Sequence, residues 1–198
     1  MITWNLNGDI VEFEPEQHYY TVNGEKCISV TQILKHKYPS KYDGVSKTVL
    51  NAAAEKGTEL HAAIEMYELF GIETNELQEF RDYLFLKNKF KFNVLAVEQP
   101  VVIRYKDLVI CGQLDQVQEL NGKLGIGDIK RTSVLDKNYL AYQLNLYRIG
   151  YQQSYGKEIE FLKGLHLRDG KRKYIDLPIN EDMALELLEE YRKGKEND

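Results

Sequence analysis

Asn121-Gly122 sets a two-residue turn between two long strand-like runs, and that turn fixes how the middle of this chain folds. A type I′ turn needs positive φ at both central positions, which Asn-Gly tolerates. Residues 107–117 lead into the turn and residues 123–130 lead out. The pattern predicts an antiparallel hairpin, and the turn sets its register. With Leu120 facing Lys123, counting back along both strands puts Asp115 opposite Asp128 and Gln113 opposite Lys130. Period-two alternation places Lys130 on the face of Asp128, with Ile129 turned away. Directly opposed side chains lie roughly 4.5–5.5 Å apart at Cβ, and like charges there are destabilising. A site that keeps such a pair usually holds a cation, and hard divalent ions take carboxylate oxygens plus waters. Two acids for a metal with an ammonium beside them suit the cleavage of a phosphodiester. The plainer reading of the same residues is a pair of exposed acids neutralised by an adjacent lysine. A bulge would also shift the register.

At 198 residues the chain is long enough for one domain with a substantial core. It is 43% hydrophobic and 29% charged, the balance of a globular rather than a disordered protein. A net charge of −5 gives no overall basic footprint for nucleic acid. It does not exclude DNA, because the field at a cleft is local. The two cysteines, Cys27 and Cys111, argue against a disulfide scaffold and point to a reducing compartment. They are also too few for a four-cysteine iron–sulfur cluster or a structural zinc site. No apolar run approaches the ~20 residues of a membrane span. Met1-Ile-Thr-Trp-Asn lacks the layout of a signal peptide. The expectation is a cytoplasmic protein with no membrane partner.

The remaining elements follow from local signals. Residues 1–28 read as a β-hairpin region, with strands at 10–13 and 18–22 and a turn at Asn23-Gly24. Ser29-Val-Thr-Gln32 is a capping-box pattern for a helix to about Lys37, ended by Pro39 and Ser40. A long helix is expected from about Ser46 to Phe70, with Gly57 as an interruption. Thr74 or Asn75 would cap a further helix over about 76–91. A strand over 94–105 carries Pro100, a sign of an edge or a bulge. After the hairpin, Asp136 caps a helix to about Ser154. Strands near 158–167 and 173–177 join at Gly170, and Asn180 opens a last helix to about 192, before a frayed tail at 193–198. This order predicts one α/β domain over 1–198, a central mixed β-sheet flanked by helices on both sides.

Several other polar residues look placed. His61 borders the apolar stripe Leu60, Ala63, Ile64 and Tyr67 of the long helix. It can ligate a metal, or it is a partly buried histidine bonded to a backbone carbonyl. Gln143 and Tyr147 share a helix face at i, i+4 spacing. They could hold a phosphate or base, or Tyr147 is core and Gln143 caps a loop. Glu98 could ligate, or orient a ligand from behind, or be an ordinary exposed strand residue. The hydroxyls of Thr132 and Ser133 could meet phosphate oxygens or serve the turn. Basic residues at 163–173 and Lys87, Lys89 and Lys91 are candidate backbone-contacting patches, or simply solvated faces.

Taken in order, four motifs resemble the PD-(D/E)XK nuclease superfamily, in particular its RecB-like and phage-exonuclease branch. Lys56-Gly-Thr-Glu-Leu-His61 resembles that branch's Gly-Thr-x-x-His helix. Gly112-Gln-Leu-Asp115 and Gly127-Asp-Ile-Lys130 resemble its Gly-x-x-Asp and Asp-x-Lys strands. Gln143-Leu-Asn-Leu-Tyr147 resembles its Gln-x-x-x-Tyr helix. The leading His18-Tyr-Tyr-Thr-Val-Asn-Gly and Ser29-Val-Thr-Gln-Ile-Leu are similar to the front end of phage-type members. The likeness spans most of residues 18–151. The iron–sulfur cysteines of some relatives are absent, and no motor motif is present.

The resemblance implies a restriction-endonuclease-like core and a Mg²⁺- or Mn²⁺-dependent deoxyribonuclease without an iron–sulfur cluster. It implies a metal held by His61, Asp115, Asp128 and the Ile129 carbonyl, with Glu98 supporting from behind. Asp115, Asp128 and Lys130 would carry the chemistry, Lys130 by orienting or helping to deprotonate the attacking water. Gln143, Tyr147, Thr132 and Ser133 would position DNA, Tyr147 by stacking. The motif set favours an exonuclease of phage or bacterial recombination and repair, working with an annealing or recombination partner protein. Some members form rings, so a homo-oligomer is among the implications. A structure-specific endonuclease and a non-catalytic DNA-binding protein on the same fold are the competing expectations.

Overall fold

A computed structural model of the chain describes residues 1–39, 41, 43–74 and 76–196. Among them run, in order, β1 (Ile2–Leu6), β2 (Asp9–Glu14), β3 (Tyr19–Val22), β4 (Glu25–Ser29), α1 (Val30–Lys37), α2 (Lys47–Phe70) and α3 (Gln78–Phe90). There follow β5 (Asn93–Tyr105), β6 (Leu108–Leu120), β7 (Lys123–Lys130), α4 (Lys137–Tyr155), β8 (Phe161–Arg168), β9 (Lys171–Leu177) and α5 (Glu181–Glu196). The strands form one sheet in the order β1-β2-β3-β4-β6-β7-β8-β9, with β5 paired on β6. The β4–β6 and β7–β8 pairings are parallel and the rest antiparallel, so the sheet is mixed as expected.

The hairpin forms where the sequence put it. Leu120 pairs with Lys123, and Asn121 and Gly122 both have positive φ. The ladder stops at Gln116↔Gly127. Asp115 and Asp128 therefore sit one rung beyond the last pair, in phase but no longer bonded through the backbone. The expected apposition of Gln113 and Lys130 does not form. The Gln113 amide donates to the Glu98 carbonyl at 2.9 Å, and Lys130 lies on the part of β7 that pairs with β8. The two strands part because each finds another neighbour, and the gap between them opens a site.

The sheet buries both faces. On one side α1, α4 and α5 pack Ile33, Leu34, Leu144 and Leu188 against Ile110, Ile126 and Leu162. On the other, α2 and α3 pack Leu60, Ile64, Phe80 and Tyr83 against Ile129, Leu165 and Leu167. The alternation along β7, with Ile126 facing one layer and Ile129 the other, is that of a central strand. A third cluster joins Leu6, Val11, Tyr20 and Val22 of the N-terminal strands to Val102 and Cys111.

Several local expectations are revised. The first 28 residues form a four-stranded meander, not one hairpin, and β1 begins at Ile2. Gly57 does not interrupt α2, which is continuous over Lys47–Phe70. The N-cap of α3 is Leu77, without a side-chain hydrogen bond; Thr74 lies before it, and Asn75 lies outside the described residues, as does Ser40. Pro100 lies on an edge strand, one of the two expected settings, since β5 pairs only with β6 among the described strands; the ladder irregularity falls elsewhere, between Val94 and Ala96, and Pro100 pairs with Gln113. The last helix runs to Glu196, past the expected stop near 192, and Asn197 and Asp198 lie outside the described residues. Other caps form as read: Ser29 and Gln32 make a full capping box, and Asp136 and Asn180 accept from Tyr139 and Met183. No described helix is long and apolar enough to cross a membrane.

Candidate active site

Four elements meet where β6 and β7 part. β5 contributes Glu98, β6 Asp115, β7 Asp128 and Lys130, and α2 His61. Ligand atoms of His61, Glu98 and Asp115 all lie within 4.8 Å of one another. His61 Nδ1 is 3.5 Å from Glu98 Oε1, and its Nε2 is 3.2 Å from the Ile129 carbonyl oxygen and 3.8 Å from Asp115 Oδ2. The Ile129 N–H donates to Asp115 Oδ2 at 2.6 Å, so the carboxylate replaces the ladder bond that ends here. Both sequence readings of His61 hold together: it faces a backbone carbonyl and it stands in an acidic cluster.

Glu98 is more central than a supporting residue. It has φ of +47°, a left-handed conformation inside a strand. For a non-glycine residue this costs of order 1–3 kcal/mol, and such strain clusters at functional sites. Its neighbours Val97 and Gln99 pair with Gln116 and Leu114, so Glu98 sits across from Asp115. Glu98, Asp115 and Asp128 thus occupy one row across three strands. Sequence reasoning could find the row by counting through the register, but not the kink that turns the Glu98 side chain to the imidazole.

Asp128 is 1% exposed. Its Oδ2 lies 2.5 Å from Lys130 Nζ, yet neither buried oxygen receives a well-directed hydrogen bond. Protein groups therefore answer the two facing aspartates: Lys130 counters Asp128, while Asp115 is held by the Ile129 N–H and His61. Burial lifts the Asp128 carboxyl to about 6, against the lowering pull of Lys130. Burial would lower the Lys130 ammonium, but Asp128 and Asp115 outweigh it and hold it above its ordinary range. Burial would likewise lower His61, and Asp115 and Glu98 outweigh that, lifting it to about 9.

The donor set of carboxylate oxygens, one carbonyl and one imidazole nitrogen is compatible with a divalent metal ion. Asp128 Oδ1 fits the same reading: unlike Oδ2, which faces Lys130, it is buried without a partner, and such an atom calls for a ligand or ion.

The other predicted residues lie on two sides of this cluster. Gln143 Nε2 donates to Tyr147 Oη at 3.4 Å, and Gln143 Oε1 is buried without a partner. Tyr147 is 5% exposed, and its ring would lie 2.7 Å from a Cβ at Gly112. That burial corrects the stacking expectation, since the ring has no face left for a base. Thr132 Oγ1 is also buried and unpartnered, while its carbonyl accepts from His166. Thr132 and Ser133 line a cavity of about 400 Å³ beside Lys130, walled by Val49, Leu50 and Tyr139. A second cavity of about 610 Å³ opens at His61 and Glu98, walled by Thr58, Phe13 and Ile2.

The basic patches are mostly engaged within the fold. Lys163 contacts Asp176, Arg172 reaches Asp82, Lys171 donates to the Ser133 carbonyl, and Lys87 pairs with Glu68. Lys163 and His166 are buried, so they are internal supports rather than phosphate contacts.

No family model matches the chain, and no curated protein matches its sequence. Solved structures do. The crystal structure of SSO0001 is 18% identical, with a TM-score of 0.50 over 87% of this chain and 78% of that one. A protein from Eubacterium rectale described as a putative exonuclease is 10% identical, with a TM-score of 0.47 over 86% and 79%. At such identity the first likeness speaks for the fold alone: a mixed sheet flanked by five described helices, consistent with a restriction-endonuclease-like core.

Proposed function

We propose that this chain is a metal-dependent nuclease that hydrolyses DNA phosphodiesters, acting as an exonuclease. The observation that carries the reading is the convergence of His61, Glu98 and Asp115 within 4.8 Å, beside the buried Asp128–Lys130 pair. The motif resemblance and the fold both support it.

Asp115, Glu98, His61 and the Ile129 carbonyl would hold Mg²⁺ or Mn²⁺, and Asp128 would complete the set once released from Lys130. An ion bound there would supply Lewis-acid chemistry, polarising a phosphoryl oxygen and lowering the pKa of water. Lys130, held as an ammonium by two carboxylates, offsets charge on the phosphate in the transition state and orients the incoming water. Thr132 Oγ1 can donate to a phosphate oxygen. Gln143 Oε1 is an acceptor without a donor, which suits a base amino group or a water rather than a phosphate. Tyr147 fixes the Gln143 amide.

The test uses end-labelled linear DNA and closed circular DNA with Mg²⁺, Mn²⁺ or EDTA. Loss of linear DNA alone, abolished by EDTA and by Asp128→Ala, is the expected result. Nicking of the circle would make the enzyme an endonuclease. Binding without cleavage under every metal would leave a DNA-binding protein on the same fold.

A further inference from the structure

Cys27 and Cys111 are 84 positions apart in sequence, yet their sulfurs lie 2.7 Å apart. Cys27 is on β4 and Cys111 on β6. Ser29 pairs with Cys111, and Cys27 lies two residues before Ser29, so the two thiols share one face of the sheet. A disulfide needs converging Cβ vectors and a final S–S distance of about 2.05 Å. The fold has already brought the sulfurs to the threshold of that bond.

We propose that Cys27 and Cys111 are a redox-reactive pair that closes into a reversible cross-link between the N-terminal meander and the central sheet. The two thiols are not equivalent. Cys111 is fully buried. Cys27 is partly exposed and lines a cavity of about 450 Å³ that small molecules can enter. Contact with Cys111 holds the Cys27 thiol below its ordinary pKa, while the same contact and burial push Cys111 up. Cys27, the thiol that a reagent can reach, is therefore the one that reacts first, and the buried Cys111 the one that resolves.

The oxidant is a low-molecular-weight disulfide. The Cys27 thiolate attacks one sulfur of the reagent, its S–S bond breaks, and half the reagent leaves as a thiolate. Cys111 then gives its proton to the medium and attacks Cys27 Sγ, expelling the second half. Two protein thiols are oxidised to one disulfide, and one reagent disulfide is reduced to two thiols. A thiol reductant reverses both steps.

The position gives the cross-link a consequence. The meander joins the central sheet through two parallel rungs, Ile28↔Ile110 and Ser29↔Cys111. The bond would fasten this narrow seam. The same meander supplies Ile2 and Phe13 to the cavity at His61 and Glu98, so closing the bond fixes one wall of the candidate site. A single reversible bridge also agrees with a chain that has too few cysteines for a disulfide scaffold.

Reduced full-length protein, freed of reductant, is exposed to excess glutathione disulfide. The expected product is a monomer that has lost two hydrogens by intact mass, has no free thiol after denaturation, and yields a peptide joining Cys27 to Cys111. Its thermal midpoint should rise by roughly 5–10 °C and return on reduction. Cys111→Ser should stop at a mixed disulfide on Cys27, and Cys27→Ser should not react. Two free thiols after exposure, or a cross-link between chains, would overturn the proposal. A closed bond without a rise in midpoint would overturn the fastening of the seam. The wild-type mass measurement decides the pairing even if a variant fails to fold.

Discussion

His61 shows how one residue ties the charge of the site to pH. Burial works to lower its pKa, but Asp115 and Glu98 lift it to about 9. A metal needs the lone pair of the ring nitrogen, so binding near neutral pH must expel a proton. Apparent Mn²⁺ affinity should then rise about tenfold per pH unit from 6.5 to 8.5 and level off near 9. The sign for stability is opposite. A raised imidazole pKa stabilises the metal-free fold fully below its ordinary 6.5, and that contribution is lost as pH rises through 9. Calorimetric Mn²⁺ titrations across that range test the first claim, and His61→Asn should flatten the slope. A flat wild-type profile would remove His61 from the ligand set. At this scale Asp115, Asp128 and His61 were legible because turn chemistry, alternation and a helical stripe place them. The weight of Glu98 was not, because nothing in Val97-Glu98-Gln99 announces a positive φ. For Tyr147 the sequence left a core and a DNA-contacting reading open, and the choice between them depends on Gly112 in another element.

Elements were legible where a local signal had no competitor. The Asn121-Gly122 turn, the Ser29 capping box and the Asp136 cap all form. The start of α3 was misread because tertiary burial of Phe80 and Tyr83, not a side-chain cap, sets it. Gly57 was misread as a break because glycine weakens a helix without forbidding it. The contrast between two helical glycines gives a test. A Cβ at Gly150 would lie 2.9 Å from Ile103 Cγ1 and 3.0 Å from Val101 Cβ, where α4 rests on β5. A Cβ at Gly57 meets nothing within 4 Å. Gly150→Ala should cost about 1–3 kcal/mol by overpacking. Gly57→Ala should gain about 0.5–1 kcal/mol from helix propensity. Denaturant midpoints of the two variants should move in opposite directions. A neutral Gly150→Ala would mean that α4 does not seat on β5 at this distance.

For the whole molecule, the central sheet and its flanking helices follow from element order, but the strand order does not. No local signal tells β4 to lie beside β6, because a two-rung parallel pairing leaves no trace in sequence. The charge distribution is also a property of the whole. With a net charge of −5, the surface as a whole repels DNA, and attraction must come from the cations around the cleft. Lys41, Lys130, Arg131 and Arg168 line the cavity beside the candidate site, where Lys130 faces Asp128, Arg131 faces Glu79 and Arg168 faces Asp169, so a phosphate would compete with those carboxylates. If these four make the phosphate contacts, the logarithm of single-strand affinity should fall with the logarithm of salt at a slope of about −3. Fluorescence anisotropy with labelled single strands and Asp128→Ala, which separates binding from cleavage, measures that slope. Arg168→Ala should make it shallower by about 0.7, since each released counterion adds that increment. A slope steeper than about −6 would require a basic face well beyond these four cations. Under the proposed function, binding would be local and weak in salt, as for a nuclease that holds a strand at one point rather than along its length.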